Sequence, residues 1–214
     1  MVMKLSASIL SIQHDSAIKE KISKLLNSSI NYLHLDIMDG NFVANKTWEY
    51  NEMVNLLPKN IKNLDVHLMV NDVKKYVYDF ALLKPVYITF QLEAVNNPLE
   101  IINLIKEHDI KVGIAIKPNT PISFLNDYFA LVDLVLVMSV EPGLGGQKFL
   151  DDSVKKIEEL YSIREKNNYK YVIEVDGGIN DRTVSYCSKC DIIVVGSFIT
   201  NGNYEERIKQ LKAK

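Results

Sequence analysis

The sequence has little of what would tie a protein to a membrane, a nucleic acid or an export pathway. No run of about 18 apolar residues occurs in the chain, and its first residues form no extended apolar stretch. The 25 basic and 27 acidic residues almost cancel, so the charge balance gives no indication of a nucleic-acid or anionic-membrane partner. We therefore expect a soluble, cytoplasmic protein that binds neither nucleic acid nor membrane.

Cysteine is also scarce. The two cysteines, Cys187 and Cys190, form a single Cys-x-x-Cys pair. One pair cannot complete a structural zinc site, and a redox motif is expected just after a first strand rather than late in the chain. The sequence predicts two reduced cysteines without a redox function.

Short apolar and β-branched runs alternate along the whole chain with longer segments that have apolar residues at helical spacing. Ile18 and Ile22 are one example of that spacing, and Leu99 and Ile102 are another. The short runs predict eight strands, at Leu5–Ile9, Tyr32–Met38, Leu64–Met69, Val86–Gln91, Lys111–Ile116, Leu134–Met138, Tyr171–Asp176 and Ile192–Val195.

Eight strand and helix units in a chain of 214 residues favour an α/β protein with a closed (β/α)₈ TIM barrel. The alternative is an open doubly wound sheet. That fold is less favoured because no Gly-x-Gly-x-x-Gly turn follows the first strand, whereas glycine-rich turns follow the last three. No linker or low-complexity tract divides the chain, so we expect residues 1–214 to form a single barrel domain.

The second predicted strand carries polar side chains where a buried strand should be apolar. Side-chain alternation places His34, Asp36 and Met38 on one face and Leu35 and Ile37 on the other. Burying an unpaired charge costs several kcal/mol, so His34 and Asp36 require partners. The stretch is interpreted as half of a metal site.

The ends of two other predicted strands supply the other half of this site. His67 lies at the end of the third strand, with Asp65 below it, and Asp176 ends the seventh. In a barrel these strand ends meet at the C-terminal face, where they join His34 and Asp36. Two imidazoles and two carboxylates suit a divalent ion such as Zn²⁺, Fe²⁺ or Mn²⁺.

Three methionines lie on the same rim of the predicted barrel. Met38, Met69 and Met138 all fall at strand ends. Methionine is commonly a core residue, but three of them around a metal would also form a water-poor active-site wall. The sequence leaves both interpretations open, and they are compatible.

Glycine-rich turns follow the last three strands, in the quadrant where barrels of this kind bind phosphate. Since no Lys or Arg occurs among the glycines, we expect backbone N–H groups to be the main phosphate donors. The turns comprise Gly143, Gly145 and Gly146, then Gly177 and Gly178, and finally Gly196 and Ser197.

Together these motifs resemble the ribulose-phosphate 3-epimerase family, in register from Leu5 to about Gly202. The resemblance implies a phosphate-binding (β/α)₈ barrel of the ribulose-phosphate-binding type, which converts D-ribulose 5-phosphate to D-xylulose 5-phosphate in the pentose phosphate pathway. It also favours a homo-oligomer. The segments that carry it are Ser8–Ser11, His34–Val43, Asp65–Met69, Pro118–Pro121, Met138–Phe149, Glu174–Ile179 and Val195–Ser197.

The resemblance also implies roles for individual residues. The metal ligands would be His34, Asp36, His67 and Asp176, and Asp36 and Asp176 would also transfer the proton on opposite faces of the substrate. A metal-stabilised enediolate would be the intermediate. The substrate contacts would be Ser8, His67, Gly143, Leu144, Gly145, Gly146, Asp176, Gly177, Gly178, Gly196 and Ser197.

The chain departs from the family's usual residues at positions that remove no predicted ligand. Ala7 and Ala44 replace proline, Asn41 and Gln91 replace histidine, and Leu144 replaces phenylalanine. These changes bear on the surroundings of the site and on sugar selectivity.

Three alternative functions stay open at this point. A 3-epimerase of allulose 6-phosphate would use the same chemistry on a six-carbon sugar. A metal-assisted lyase or decarboxylase is expected to present a Lys near the metal, and the predicted strand ends offer none. A barrel that binds a sugar phosphate without turnover would have no need of two acid/base carboxylates.

Overall fold

A computed structural model describes residues 3–213. Eight parallel strands, each hydrogen-bonded to its neighbour in the chain, close into a barrel when β8 pairs with β1. This confirms the predicted (β/α)₈ fold, and strand boundaries differ from the prediction by at most one residue. The strands are β1 (Lys4–Ser8), β2 (Tyr32–Met38), β3 (Leu64–Met69), β4 (Tyr87–Gln91), β5 (Lys111–Ile116), β6 (Leu134–Met138), β7 (Val172–Asp176) and β8 (Ile192–Val195). Residues 1, 2 and 214 of the predicted domain lie outside the described residues.

Seven α-helices surround the barrel: α1 (Ile18–Leu26), α2 (Tyr50–Leu56), α3 (Val73–Ala81), α4 (Pro98–Glu107), α5 (Asp152–Asn167), α6 (Ser197–Thr200) and α7 (Tyr204–Lys212). Two connections contain only a four-residue 3₁₀ turn, at Ile122–Leu125 and Val184–Cys187. Pro121 therefore precedes a 3₁₀ turn rather than the α-helix that its position predicts. Among residues 3–213, no helix has both the length and the apolar character that a membrane crossing requires.

Helix starts follow from local sequence. Glu49 and Glu52 form a capping box at α2, in which each side chain accepts from the other residue's backbone N–H. The Asp72 side chain accepts the Lys75 N–H and caps α3. Pro98 occupies the first turn of α4, where its missing N–H removes no helical bond. These caps fix where each helix begins to pack on the barrel.

The outward faces of the strands form the core between barrel and helices. Leu35 and Ile37 of β2 are fully buried there, as is Phe80 of α3. The alternate residues point into the barrel, which explains why the polar side chains of β2 lie inside it.

Both cysteines are buried and unpaired as thiols, so neither contributes a disulfide.

Strand register brings the polar residues of neighbouring strands to the same height. His34 of β2 is level with Asp65 of β3, and Asp36 is level with His67. On the other side of the barrel, β6 and β7 pair Met138 with Asp176. The C-terminal strand ends therefore present one polar layer to the barrel mouth.

Candidate active site and metal centre

Four side chains predicted to form the metal site converge at the mouth of the barrel. One ligand atom from each of His34, Asp36, His67 and Asp176 lies within 4.8 Å of the others. Asp36 Oδ1 is 3.5 Å from His34 Nε2 and 3.7 Å from His67 Nδ1, and Asp176 Oδ2 is 4.0 Å from His67 Nδ1. Donor atoms that share one ion about 2.0–2.2 Å away lie about 3–3.5 Å apart. The observed spacing is close to this.

The hydrogen-bonding pattern of the two imidazoles also fits a cation. His34 Nε2 and His67 Nδ1 face the cluster, and neither has a hydrogen-bond partner among the described residues. Both rings are fully buried, where an unpaired polar atom costs about 1–3 kcal/mol. An ion bound by these two nitrogens and two carboxylates would satisfy them, so the residues present fit a divalent metal.

Asp36 is held in place by a hydroxyl from the neighbouring strand. Ser8 Oγ donates to Asp36 Oδ2 at 2.7 Å, and the Leu10 N–H donates to the same hydroxyl at 3.2 Å. This leaves Oδ1 of Asp36 turned toward the two imidazoles. The carboxylate is therefore oriented before any ligand binds.

Opposing electrostatic effects set the charges of this layer. Burial disfavours the imidazolium of His34, but the carboxylates of Asp65 and Asp36 outweigh it and hold the pKa of His34 well above its ordinary value. Burial likewise disfavours ionised Asp36, but the positive charge of His34 and the proximity of both imidazoles hold the pKa of Asp36 below its ordinary value. Burial and the neighbouring charge of His34 lower the pKa of His67.

The second predicted proton-transfer residue is electrostatically different from the first. Burial, followed by the negative charge of Asp36, raises the pKa of Asp176 to about 7. Its side chain keeps 16% exposure, against 4% for Asp36, so it faces the mouth more openly. One step deeper, burial and Asp65 raise the pKa of Glu174 well above its ordinary value, which favours the neutral form of this buried acid.

A cleft of about 550 Å³ opens at the barrel mouth, above the cluster of His34, Asp36, His67 and Asp176. His34 and His67 do not line it, and both rings are fully buried. His67, a predicted substrate contact, is therefore not part of the cleft wall, and its Nδ1 faces the cluster instead. The other predicted contacts all line the cleft: Ser8, Gly143, Leu144, Gly145, Gly146, Asp176, Gly177, Gly178, Gly196 and Ser197.

The three methionines predicted as a wall also line this cleft. Met38, Met69 and Met138 are each at most 2% exposed, yet all three contribute to its surface. They are therefore core residues whose ends border the cleft, in agreement with both interpretations of the sequence.

Part of the glycine pattern has a packing cause. A Cβ at Gly178 would lie 2.3 Å from the backbone nitrogen of Phe149, and one at Gly177 would lie 2.5 Å from Val140. Both residues also have positive φ. Glycine at these positions lets the loops after β6 and β7 pack together.

The loop after β6 is also stabilised by the Gln147 amide, which donates to the Glu141 and Leu144 carbonyls.

The structure adds cationic side chains that sequence reasoning missed. Lys148, Arg182 and Arg207 line the cleft on the side of the glycine turns. The guanidinium of Arg207 lies 4.6 Å from the centre of the Phe198 ring, which follows Ser197 directly. Arg182 lies only four residues after Gly178, so its position near the glycine turn could have been predicted from the sequence. Arg207 reaches the cleft through tertiary packing alone.

The closed barrel, with a polar layer under a cleft at its C-terminal face, defines a (β/α)₈-barrel enzyme. The particular family follows from comparison with known sequences. Residues 4–200 match the model of the ribulose-phosphate 3 epimerase family, and the chain belongs to this family. It is accordingly an isomerase of the epimerase class.

Curated relatives agree with this assignment. The chain is 38% identical to ribulose-phosphate 3-epimerase of Methanocaldococcus jannaschii, over 92% of this chain and 84% of that protein. It is 35% identical to the Candida glabrata enzyme of the same name, over 89% and 87% of the two chains. The Treponema pallidum enzyme is 36% identical, with 87% of each chain covered.

Solved structures with lower identity share the fold. A tryptophan synthase complex from Pyrococcus furiosus superposes with a TM-score of 0.70 at 13% identity, covering 99% of this chain and 98% of that chain. KGPDC from Streptococcus mutans gives a TM-score of 0.68 at 10% identity, covering 100% and 97%. At these identities the likeness shows the barrel architecture alone.

Proposed function

We propose that this protein inverts C3 of a ketose phosphate, interconverting D-ribulose 5-phosphate and D-xylulose 5-phosphate with a bound divalent ion. The observation that carries the proposal is the pair of carboxylates, Asp36 and Asp176, beside two buried imidazole nitrogens that lack partners among the described residues. Family membership supports the same reaction.

Epimerisation next to a ketone requires one group to remove the C3 proton and another to return a proton to the opposite face. Asp36 and Asp176 project from strands on different sides of the barrel and meet at the floor of the cleft. Their pKa values are pushed in opposite directions, below the ordinary value for Asp36 and to about 7 for Asp176. These opposite shifts, in the site without an ion, distinguish the two carboxylates as a base and an acid.

His34, Asp36, His67 and Asp176 would hold the ion, with nitrogen and oxygen donors that suit Zn²⁺, Fe²⁺ or Mn²⁺. A divalent ion there supplies Lewis-acid stabilisation of the negative charge that develops on the substrate oxygens. Ser8 keeps Asp36 in position through its 2.7 Å hydrogen bond. Met38, Met69 and Met138 border the reacting carbons and limit water access.

The phosphate would bind on the side of the cleft formed by the turns after β7 and β8. Gly177, Gly178, Gly196 and Ser197 line that side with backbone groups. The guanidinium of Arg207 adds positive charge beyond them. This arrangement orients the sugar so that C3 lies over the two carboxylates.

Three measurements on the purified protein test this function. Removal of metal with a chelator is expected to abolish epimerisation, and Zn²⁺, Fe²⁺ or Mn²⁺ is expected to restore it; activity indifferent to the chelator would remove the metal from the mechanism. The ratio of kcat/KM for D-ribulose 5-phosphate to that for D-allulose 6-phosphate is expected to exceed one. A ratio below one would assign the six-carbon substrate, and no C3 deuterium exchange with either would indicate a binding protein.

A further inference from the structure

Each metal-site histidine is held from behind by a residue on the next strand. His34 Nδ1 lies 2.7 Å from Asp65 Oδ2, and His67 Nε2 lies 2.9 Å from the amide nitrogen of Gln91. Both partners are fully buried. The two rings therefore face the metal layer with different atoms, Nε2 of His34 and Nδ1 of His67.

The two partners differ in what they can offer a ring. An ionised carboxylate only accepts hydrogen bonds, so Asp65 fixes a proton on Nδ1 of His34. Ser6 Oγ donates to the same Asp65 oxygen at 2.7 Å and keeps the carboxylate in place. Asp65 thereby leaves Nε2 of His34 as the atom available to a metal.

An amide offers both a donor and an acceptor. With its nitrogen toward His67, Gln91 donates to Nε2, and the neutral ring then carries its proton on Nδ1. That proton points at Asp36 and Asp176 and would block a metal. A half-turn of the amide instead places Oε1 against Nε2–H and frees Nδ1. Gln91 Oε1 has no partner among the described residues, so the half-turn breaks no bond other than the one it replaces.

We propose that Gln91 is a positioning residue that selects the tautomer of His67, donating to Nε2 in the metal-free protein and accepting from Nε2–H when metal is bound. The inference rests on the metal centre of the proposed function. It assigns Gln91 a role that the carboxylate of Asp65 cannot fill, because an ionised carboxylate cannot donate to an imidazole nitrogen, whereas an amide can donate or accept.

Zinc affinity, measured by competition with a chromophoric chelator, tests this role in three variants. Gln91→Met keeps the side-chain length and removes both hydrogen-bonding atoms, and it is expected to weaken Zn²⁺ binding by about 10–100-fold. Gln91→Glu keeps an acceptor and is expected to bind Zn²⁺ at least as tightly as the wild type. Thr89→Val is the matched control, since Thr89 Oγ1 is another buried atom of β4 without a partner within residues 3–213, and the Zn²⁺ affinity of this variant is expected to be unchanged.

Imidazole ¹⁵N NMR of the wild type gives a second readout that requires no variant. His67 is expected to carry its proton on Nδ1 without metal and on Nε2 with Zn²⁺. Wild-type affinity in folded Gln91→Met, or the same tautomer in both states, would overturn the role of Gln91 while leaving the metal centre intact. A wild-type protein that binds no Zn²⁺ at all would instead remove the metal centre and this inference together.

Discussion

Replacing either proton-transfer carboxylate by its amide separates the two halves of the proposed reaction. Asp176→Asn keeps the shape of the side chain and an oxygen that still faces His67, 4.0 Å away in the wild type. It removes the ability to carry a proton. Asp36→Asn makes the same change at the other carboxylate, whose Oδ2 is bound by Ser8.

Loss of one acid/base group is expected to lower kcat for epimerisation by about 10²–10⁴, which corresponds to about 3–5 kcal/mol in the activation barrier. Each substrate epimer has its C3 proton on one face only, and each face is served by one carboxylate. The remaining carboxylate is therefore expected to remove the C3 proton of one epimer and to return hydrogen to the same face.

The assay is deuterium incorporation at C3 in D₂O, measured separately from the two pure epimers. Asp176→Asn is expected to exchange one epimer and Asp36→Asn the other, while neither interconverts them at more than about 1% of the wild-type rate. Glu174→Gln is a control on the same strand. Burial and Asp65 raise the pKa of Glu174 and so favour its neutral form, which an amide should replace with near-normal turnover. Near-normal epimerisation by Asp176→Asn, or equal exchange of both epimers, would refute the two-carboxylate assignment.

Three further predictions concern the hydrogen bond that holds Asp36, the uptake of metal and the hydrophobic core. Ser8→Ala removes the hydrogen-bond donor to Asp36 and is expected to lower kcat by about 10–100-fold. This corresponds to the loss of about 1.5–3 kcal/mol from a hydrogen bond to a charged group. A change in kcat below twofold in steady-state assays would contradict it. Zinc uptake is expected to release protons from His34 and Asp176, because the pKa of each is raised, to about 7 for Asp176. Zinc affinity is therefore expected to rise as the pH rises toward 7, and calorimetry in buffers of different ionisation enthalpy measures the protons released; pH-independent affinity would contradict it. Phe80→Ala is expected to lower the free energy of unfolding by about 3–5 kcal/mol, because Phe80 is fully buried; a loss below about 1 kcal/mol in denaturant titration would contradict it.

The sequence was sufficient for the barrel because its signals are local. Short apolar runs typical of strands, and apolar residues at helical spacing, alternate eight times along the chain. Each pattern can be recognised within a window of about 11–18 residues. The two short connections escaped prediction, since Ile122–Leu125 and Val184–Cys187 form single 3₁₀ turns where a full helix was expected. Nothing in the local pattern distinguishes a helix from such a turn when packing decides its length.

The candidate site was predictable as a set of residues but not as an arrangement. Side-chain alternation on β2 placed His34 and Asp36 inside the barrel, and the strand ends added His67 and Asp176. The atoms by which each ring faces the metal depend on Asp65 and Gln91, which contact the rings only after register is set. The contribution of Arg207 to the cleft likewise depends on how α7 packs.

The charges of His34, Asp36, Asp65 and Asp176 explain how these ionisable side chains share the barrel interior. The surroundings favour ionised Asp36 and Asp65 beside a protonated His34, and burial with the charge of Asp36 raises the pKa of Asp176 to about 7. Taking up a divalent ion requires His34 and Asp176 to lose their protons. Two positive charges leave as two enter, so the layer keeps the same net charge in both states. Burying a net charge is costly in a barrel interior, and this exchange avoids changing it. The protein is therefore expected to fold before it binds metal. The proton on His34 would then supply part of the positive charge that the bound ion supplies later.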